Sequence, residues 1–193
     1  MSSPVGVLAV QGDFEKHREA LADCGVPSIE VRTVEDLARV DRLILPGGES
    51  TTVGLLLERY GLGEAIRRAA EEGMPLWGTC MGMILLAREV EGREQYTLGL
   101  LDVTVRRNAF GAQVHSFEDT VEMPGFEPAI LGVFIRAPIV VRTGPGVEVL
   151  GTYRGKVVAV RQGVRIATSF HPELTEDRRL HEWFASLGTG AHG

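Results

Sequence analysis

The sequence predicts an α/β protein: a single-domain, three-layer sandwich whose central, mostly parallel sheet carries helices on both faces and is extended by some antiparallel strands. Three observations predict it. Short β-branched apolar runs alternate with amphipathic helical stretches through the first half of the chain, the pattern of a parallel sheet covered on both sides. After Glu89 the texture changes to brief Val-, Thr- and Gly-rich runs separated by turns, the pattern of antiparallel additions. At 193 residues the chain is long enough for one full core and short for two. One domain over residues 1–188 is expected, with a frayed tail at 189–193.

Taken in order, Val5 to Val10 reads as a buried first strand that ends in the turn Gln11-Gly12-Asp13. A helix follows, with Asp13 as its N-cap and Phe14, His17, Leu21 and Cys24 along one face until Gly25 stops it. His17 on that face reads as a hydrogen-bonded packing residue. Ser28 to Arg32 and Arg42 to Leu45 are the next two strands. Pro46-Gly47-Gly48-Glu49-Ser50-Thr51-Thr52 then leads into a helix with Val53, Leu56, Leu57 and Tyr60 at helical spacing. Paired glycines at a strand end expose backbone N–H groups that can hold an anion or oxyanion, but the Lys and spacing of a nucleotide P-loop are lacking. Leu62, Ala65, Ile66, Ala69 and Ala70 mark a further helix, closed by Gly73.

Next comes Met74 to Trp77, an apolar run that stops at Gly78-Thr79-Cys80-Met81-Gly82 before a second apolar run from Met81 to Ala87. This is a strand, a sharp turn and a helix, with a thiol at the tip. Glycines two residues either side allow a tight bend, and the positive end of the following helix favours negative charge. Cys80 is therefore a candidate nucleophile. The competing reading is a small buried Cys between packing glycines.

Strands are predicted at Leu98–Arg106, Val114–Val121, Leu131–Arg136, Val147–Thr152, Lys156–Gln162 and Val164–Phe170, and a last helix with Leu180, Trp183, Phe184 and Leu187 at core spacing. The strand Val164–Phe170 runs into His171-Pro172-Glu173. If it lies parallel to the elbow strand, His171 reaches the same sheet edge as Cys80, and Glu173, across a Pro that fixes φ, can orient the imidazole. A thiol, a base and an orienting carboxylate make the set for nucleophilic catalysis. His115, His181 and His192 lack such a setting.

Composition excludes several classes. A net charge of −6 and a pI near 5.4 argue against a nucleic-acid binder. No apolar run approaches the roughly 18 to 20 residues that span a bilayer, and no signal-type segment opens the chain. A cytoplasmic protein is expected. Two cysteines, Cys24 and Cys80, are too few for a disulfide framework. No metal-ligand cluster is legible, so neither metal nor cofactor is expected. The residues alone leave open another cysteine hydrolase or amidotransferase subunit of the same fold, or a non-catalytic binding module.

The combination narrows these. Gly78-Thr79-Cys80-Met81-Gly82 with Pro46-Gly47-Gly48 and His171-Pro172-Glu173 resembles the class I, triad-type glutamine amidotransferases. Leu8-Ala9-Val10-Gln11-Gly12, Arg107-Asn108-Ala109-Phe110-Gly111, Ser116-Phe117-Glu118 and Phe134-Ile135-Arg136-Ala137-Pro138 further resemble the glutaminase subunits of pyridoxal 5'-phosphate synthase. The resemblance spans nearly the whole chain. It implies a flavodoxin-like sandwich and hydrolysis of L-glutamine to glutamate and ammonia, with Cys80 as nucleophile, His171 as proton shuttle and Glu173 as its orienter. It further implies an oxyanion hole from Gly47, Gly48 and Met81, and glutamine contacts from Gly48, Glu49, Ser50, Arg107, Ile135 and Arg136. The implied partner is a barrel-shaped synthase subunit in a large hetero-oligomer, which receives the ammonia and which Gln11 contacts. One departure stands out: Ala112 follows Gly111 where the family usually has Arg.

Overall fold

The computed structural model describes residues 3–10, 12–111 and 115–188. The expectations for Gln11, Ala112 and the tail 189–193 lie outside the described residues. In chain order the first half runs β1 (Val5–Leu8), α1 (Phe14–Asp23), β2 (Ser28–Val31), α2 (Val34–Leu37), β3 (Leu43–Leu45), α3 (Ser50–Arg59), α4 (Leu62–Glu71), β4 (Leu76–Thr79) and α5 (Met81–Leu86). The second half runs β5 (Ala87–Val90), β6 (Leu101–Arg106), β7 (Ser116–Met123), β8 (Phe126–Ile135), β9 (Ile139–Thr143), β10 (Glu148–Tyr153), β11 (Lys156–Gln162), β12 (Arg165–Thr168), a 3-10 turn (Pro172–Leu174) and α6 (Arg179–Ser186).

Five strands in the order β2-β1-β3-β4-β12 form a wholly parallel core. Their side chains alternate between two apolar layers, as a period of two requires. Val5, Val7, Ile44, Trp77 and Ile166 enter the layer under α1 and α6, with Leu21, Leu180 and Phe184. Leu8, Leu43, Leu45, Leu76 and Ala167 enter the opposite layer, with Leu57 of α3 and Leu62, Ile66 and Ala70 of α4. Both faces are thus covered, which is why these strands read as uninterrupted apolar runs. From β12 the sheet continues antiparallel through β11, β10, β7 and β8. A side branch joins β5 to β6 in parallel, β6 to β9 and β9 to β11.

Some elements differ from expectation for local reasons. The helix after Cys80 stops at Leu86, because Ala87 turns extended (ψ 152°) and starts β5, which pairs with β6. Strand β9 was not predicted, and neither was α2, a single turn held by a reciprocal capping pair between Thr33 and Asp36. Tyr60 keeps helical spacing yet is 65% exposed, since α3 ends at Arg59 and Tyr60 leaves the helical path. Among the described residues, no helix is long and apolar enough to cross a membrane.

Candidate active site

The parallel register brings three chain segments to one sheet edge. Thr168 lies beside Thr79, and Leu45 beside Gly78. Consequently the chain leaving β3 (Pro46 to Glu49), the residue after β4 (Cys80) and the residues after β12 (His171 to Glu173) emerge together at the carboxyl end, where ligands bind in open α/β sheets. The Cys80 N–H donates to Thr168 O at 2.8 Å and the His171 N–H donates to Val133 O at 2.8 Å, which fix the two loops.

Cys80 has φ 53° and ψ −106°. A non-glycine residue in that region stores on the order of 1–3 kcal/mol of strain and is found where a side chain must be presented at a fixed angle. The flanking glycines let the backbone bend without a β-carbon clash, as expected. Neither needs a positive φ; both are required by close approach. A β-carbon on Gly78 would lie 2.4 Å from Gly82 O, and one on Gly82 would lie 2.0 Å from Leu45 O, so α5 seats directly on β3 and β4. Met81 is the first residue of α5, where an N–H has no intrahelical acceptor. Gly47 is equally tight: a β-carbon there would lie 2.8 Å from His171 Cε1 and 3.8 Å from Cys80 Cβ. Behind it, Gly12 (φ 103°) presses on the Gly47 carbonyl and clamps this loop against the turn after β1.

The His171 Nδ1–H donates to Glu173 Oε1 at 2.5 Å, and both side chains are buried. Burial alone would lower the His171 pKa, but the hydrogen bonds and charges of Cys80 and Glu173 outweigh it and raise it to about 10. Burial alone would raise Glu173; His17 and His171 on either side hold its carboxyl below the ordinary range. The Cys80 thiol donates to Ile135 O at 3.6 Å.

A cavity of about 360 Å³ opens over Cys80 and His171. Gly48, Glu49, Met81, Arg107, Ile135 and Arg136, all expected at the site, line it together with Asp13, Ile84 and Asn108. Ser50, also expected there, is buried instead at the start of α3, where it accepts from Gln95 Nε2 at 3.3 Å; Gln95 in turn accepts from Arg107 Nη1 at 2.8 Å. Through Gln95, Ser50 is linked to Arg107 on the cavity wall. Glu49 caps α3, accepting from the N–H groups of Thr51 and Thr52 at 3.0 and 2.7 Å and from the Thr52 hydroxyl at 2.7 Å. The Thr52 hydroxyl bond leads, and with these N–H donors it holds Glu49 down at about 2, a permanent carboxylate at the cavity rim.

Asp13 sits at the N-cap position of α1, as expected, but its side chain makes no capping bond and lines the cavity. Only its place after β1, at the common edge, could have signalled this. Asp13, His171 and Glu173 bring ligand atoms within 4.8 Å of one another, a set that could hold a cation.

Residues 7–187 match the family model described as the SNO glutamine amidotransferase family. The chain is 57% identical over 189 residues to the pyridoxal 5'-phosphate synthase subunit PdxT of Thermus thermophilus, covering 97% of this chain and 98% of that one. It is 49% identical over 187 residues to the PdxT subunit of Oenococcus oeni, covering 97% of each. A crystal structure of a glutamine amidotransferase superposes with a TM-score of 0.90 at 53% identity, over 93% of this chain and 96% of that one. A glutamine amidotransferase from Thermotoga maritima, at 13% identity and a TM-score of 0.64 over 96% of this chain and 91% of that one, shares the fold alone. The chain belongs to the SNO glutamine amidotransferase family and, within it, to the glutaminase subunits of pyridoxal 5'-phosphate synthase.

Proposed function

We propose that one domain, residues 1–188, hydrolyses L-glutamine with Cys80 as nucleophile, His171 as proton shuttle and Glu173 as its orienter, and that the ammonia passes to a barrel-shaped synthase partner in a larger hetero-oligomer. The observation that carries the reading is the convergence of an elbow cysteine, a buried His-Glu pair and a glycine loop on one cavity. The thiolate attacks the side-chain amide carbon. The oxyanion is received by N–H groups of the Gly47-Gly48 loop and of Met81, each worth about 3 kcal/mol in comparable sites. His171 delivers its proton to the departing ammonia, leaving a glutamyl thioester on Cys80, and then takes a proton from the water that cleaves it. The partner contact includes Gln11. A reducing, cytoplasmic compartment suits the working thiol.

Glutamine is a zwitterion and needs an acceptor for its ammonium group and a donor for its carboxylate. Glu49, ionised at all working pH values, supplies the acceptor, and Arg136 or Arg107, whose Nη2 lies 4.0 Å from Glu49 Oε1, supplies the donor. Glu49→Ala is expected to raise KM for glutamine by roughly tenfold or more, with a smaller change in kcat, because one charge-assisted contact is lost. Steady-state kinetics checks this; an unchanged KM would remove Glu49 from the binding set.

The raised His171 pKa sets the alkaline behaviour. In the unfolded chain the imidazole titrates near 6.5, and in the folded one near 10. The stabilisation gained by the imidazolium is complete below the lower value and fades as pH rises through the higher one. The proton needed by the leaving ammonia disappears over the same range, so turnover declines toward pH 10. Glu173→Gln keeps an acceptor but no charge and is expected to move that decline to lower pH, read from the pH profile of kcat. The function itself is tested by glutamate release from L-glutamine with and without the synthase partner, where Cys80-dependent release that rises with the partner is expected.

A further inference from the structure

Beneath the triad, on the α1 and α6 side of the sheet, lies a buried polar cluster that the hydrolysis does not use. His17 of α1 and His181 of α6 are fully buried, 164 residues apart in sequence, with His17 Nδ1 2.9 Å from His181 Nε2. The other nitrogen, His17 Nε2, lies 3.1 Å from Thr79 Oγ1 and 3.4 Å from Glu173 Oε2. Trp77 packs edge-on against both imidazoles, which closes the cluster to water.

The protons can be assigned by elimination. Burial keeps both imidazoles neutral at pH 7: it outweighs the opposing charge of Glu173, holding His17 below its usual value and leaving His181 to titrate only near 3. Each ring therefore carries one proton. If His17 carried it on Nδ1, His181 Nε2 would accept, and the His181 proton would sit on Nδ1, an atom buried without a hydrogen-bond partner among the described residues. The His17 Nε2 lone pair would then face the Glu173 carboxylate. Both faults vanish with the proton on His17 Nε2: His181 Nε2–H donates to His17 Nδ1, and the only atom left unpartnered on the rings is a lone pair. The Thr79 hydroxyl takes the aligned bond, and Glu173 Oε2, which has no aligned partner among the described residues, takes the flank of the same N–H.

We propose that His17 is a positioning residue, its Nε2–H held by His181 on Thr79 Oγ1 and 3.4 Å from Glu173 Oε2, where the dipole of that N–H keeps the carboxylate ionised and Oε1 on His171. This rests on Cys80, His171 and Glu173 being the working triad. The titratable and charged groups that face the cluster are His171, Glu173 and Cys80 at the sheet edge, Asp13 ahead of α1 and Arg178 ahead of α6. With His17 removed, Glu173 Oε2, which accepts no hydrogen bond among the described residues, loses the N–H dipole beside it. Glu173 then takes up a proton at higher pH, and His171 loses its counter-charge there.

The test uses two readouts that need no turnover. In the 15N-histidine-labelled chain, the long-range nitrogen–proton spectrum should show His17 as the Nε2–H tautomer; an Nδ1–H tautomer overturns the proposal. Iodoacetamide modification of Cys80, followed by peptide mapping, should collapse on the acid side about one pH unit higher in His17→Leu than in the unmodified sequence. His17→Gln, which can place an amide N–H near the same point, should restore most of that shift. An unmoved collapse in His17→Leu, or equal shifts in both variants, overturns it. Glutamate release by the unmodified chain with its synthase partner is measured in parallel. Absent release with the expected tautomer and shift would defeat the glutaminase reading while leaving this placement of His17 intact.

Discussion

Cys80→Ala should lower glutamate release by a factor on the order of 10⁴ or more, because removal of the nucleophile from a triad leaves only the residual effect of the oxyanion donors and substrate binding. The fold should survive. Alanine keeps the β-carbon at φ 53°, the buried cavity left by one sulfur costs about 1 kcal/mol, and the backbone bond from the Cys80 N–H to Thr168 O is untouched. Circular dichroism and a denaturant midpoint near that of the unmodified chain would show that the lost activity is chemical. A variant that unfolds would leave His171→Ala, whose ring is exposed at only 5%, as the replacement probe of the same triad.

The second large effect concerns the seat of the elbow. Gly82→Ala should destabilise the protein by on the order of 3 kcal/mol or more, since the new methyl would meet the Leu45 carbonyl oxygen at 2.0 Å and its Cβ at 3.3 Å. Backbone on β3 cannot yield as a flexible side chain would, so α5 must lift. That lift also displaces the Met81 N–H, and catalysis should fall beyond what the loss of folded protein explains. Gly92→Ala is the contrast: its φ of 74° strains an alanine, but nothing lies within 4 Å of the added carbon, and a loss of about 1 kcal/mol is expected. Urea midpoints of the two variants separate the cases; equal losses would show that the contact between α5 and β3 is looser than described.

The parts of this protein legible in its sequence are those encoded by neighbouring residues. Val5–Leu8 and Leu43–Leu45 announce buried parallel strands because both of their faces are covered, and Gly78 to Gly82 announces an elbow because close backbone approach demands glycine. His171 and Glu173 are two residues apart and share one hydrogen bond, so their pairing is readable once the strand before them is placed beside β4. What escapes the sequence depends on residues distant in the chain. The Ala87–Val90 strand looks like more helix until β6 arrives to pair with it. Asp13 looks like a cap until the cavity is assembled around it. His17 reads correctly as a hydrogen-bonded packing residue, but its partners Thr79, Glu173 and His181 lie on three other segments, and no spacing along α1 reports them. Ser50 is bonded to Gln95 and through it linked to Arg107, a chain of contacts that no spacing along α3 reports.

The central claim is that glutamine is opened by covalent attack from Cys80, and the intermediate itself is the most direct witness. The chain, mixed with its synthase partner and with excess L-glutamine, should be quenched in acid during turnover and mapped by mass spectrometry. A glutamyl adduct on the peptide that contains Cys80, absent in Cys80→Ala and absent without glutamine, is the predicted result. Glutamate release that persists undiminished in Cys80→Ala, or an adduct on a different residue, would contradict the account.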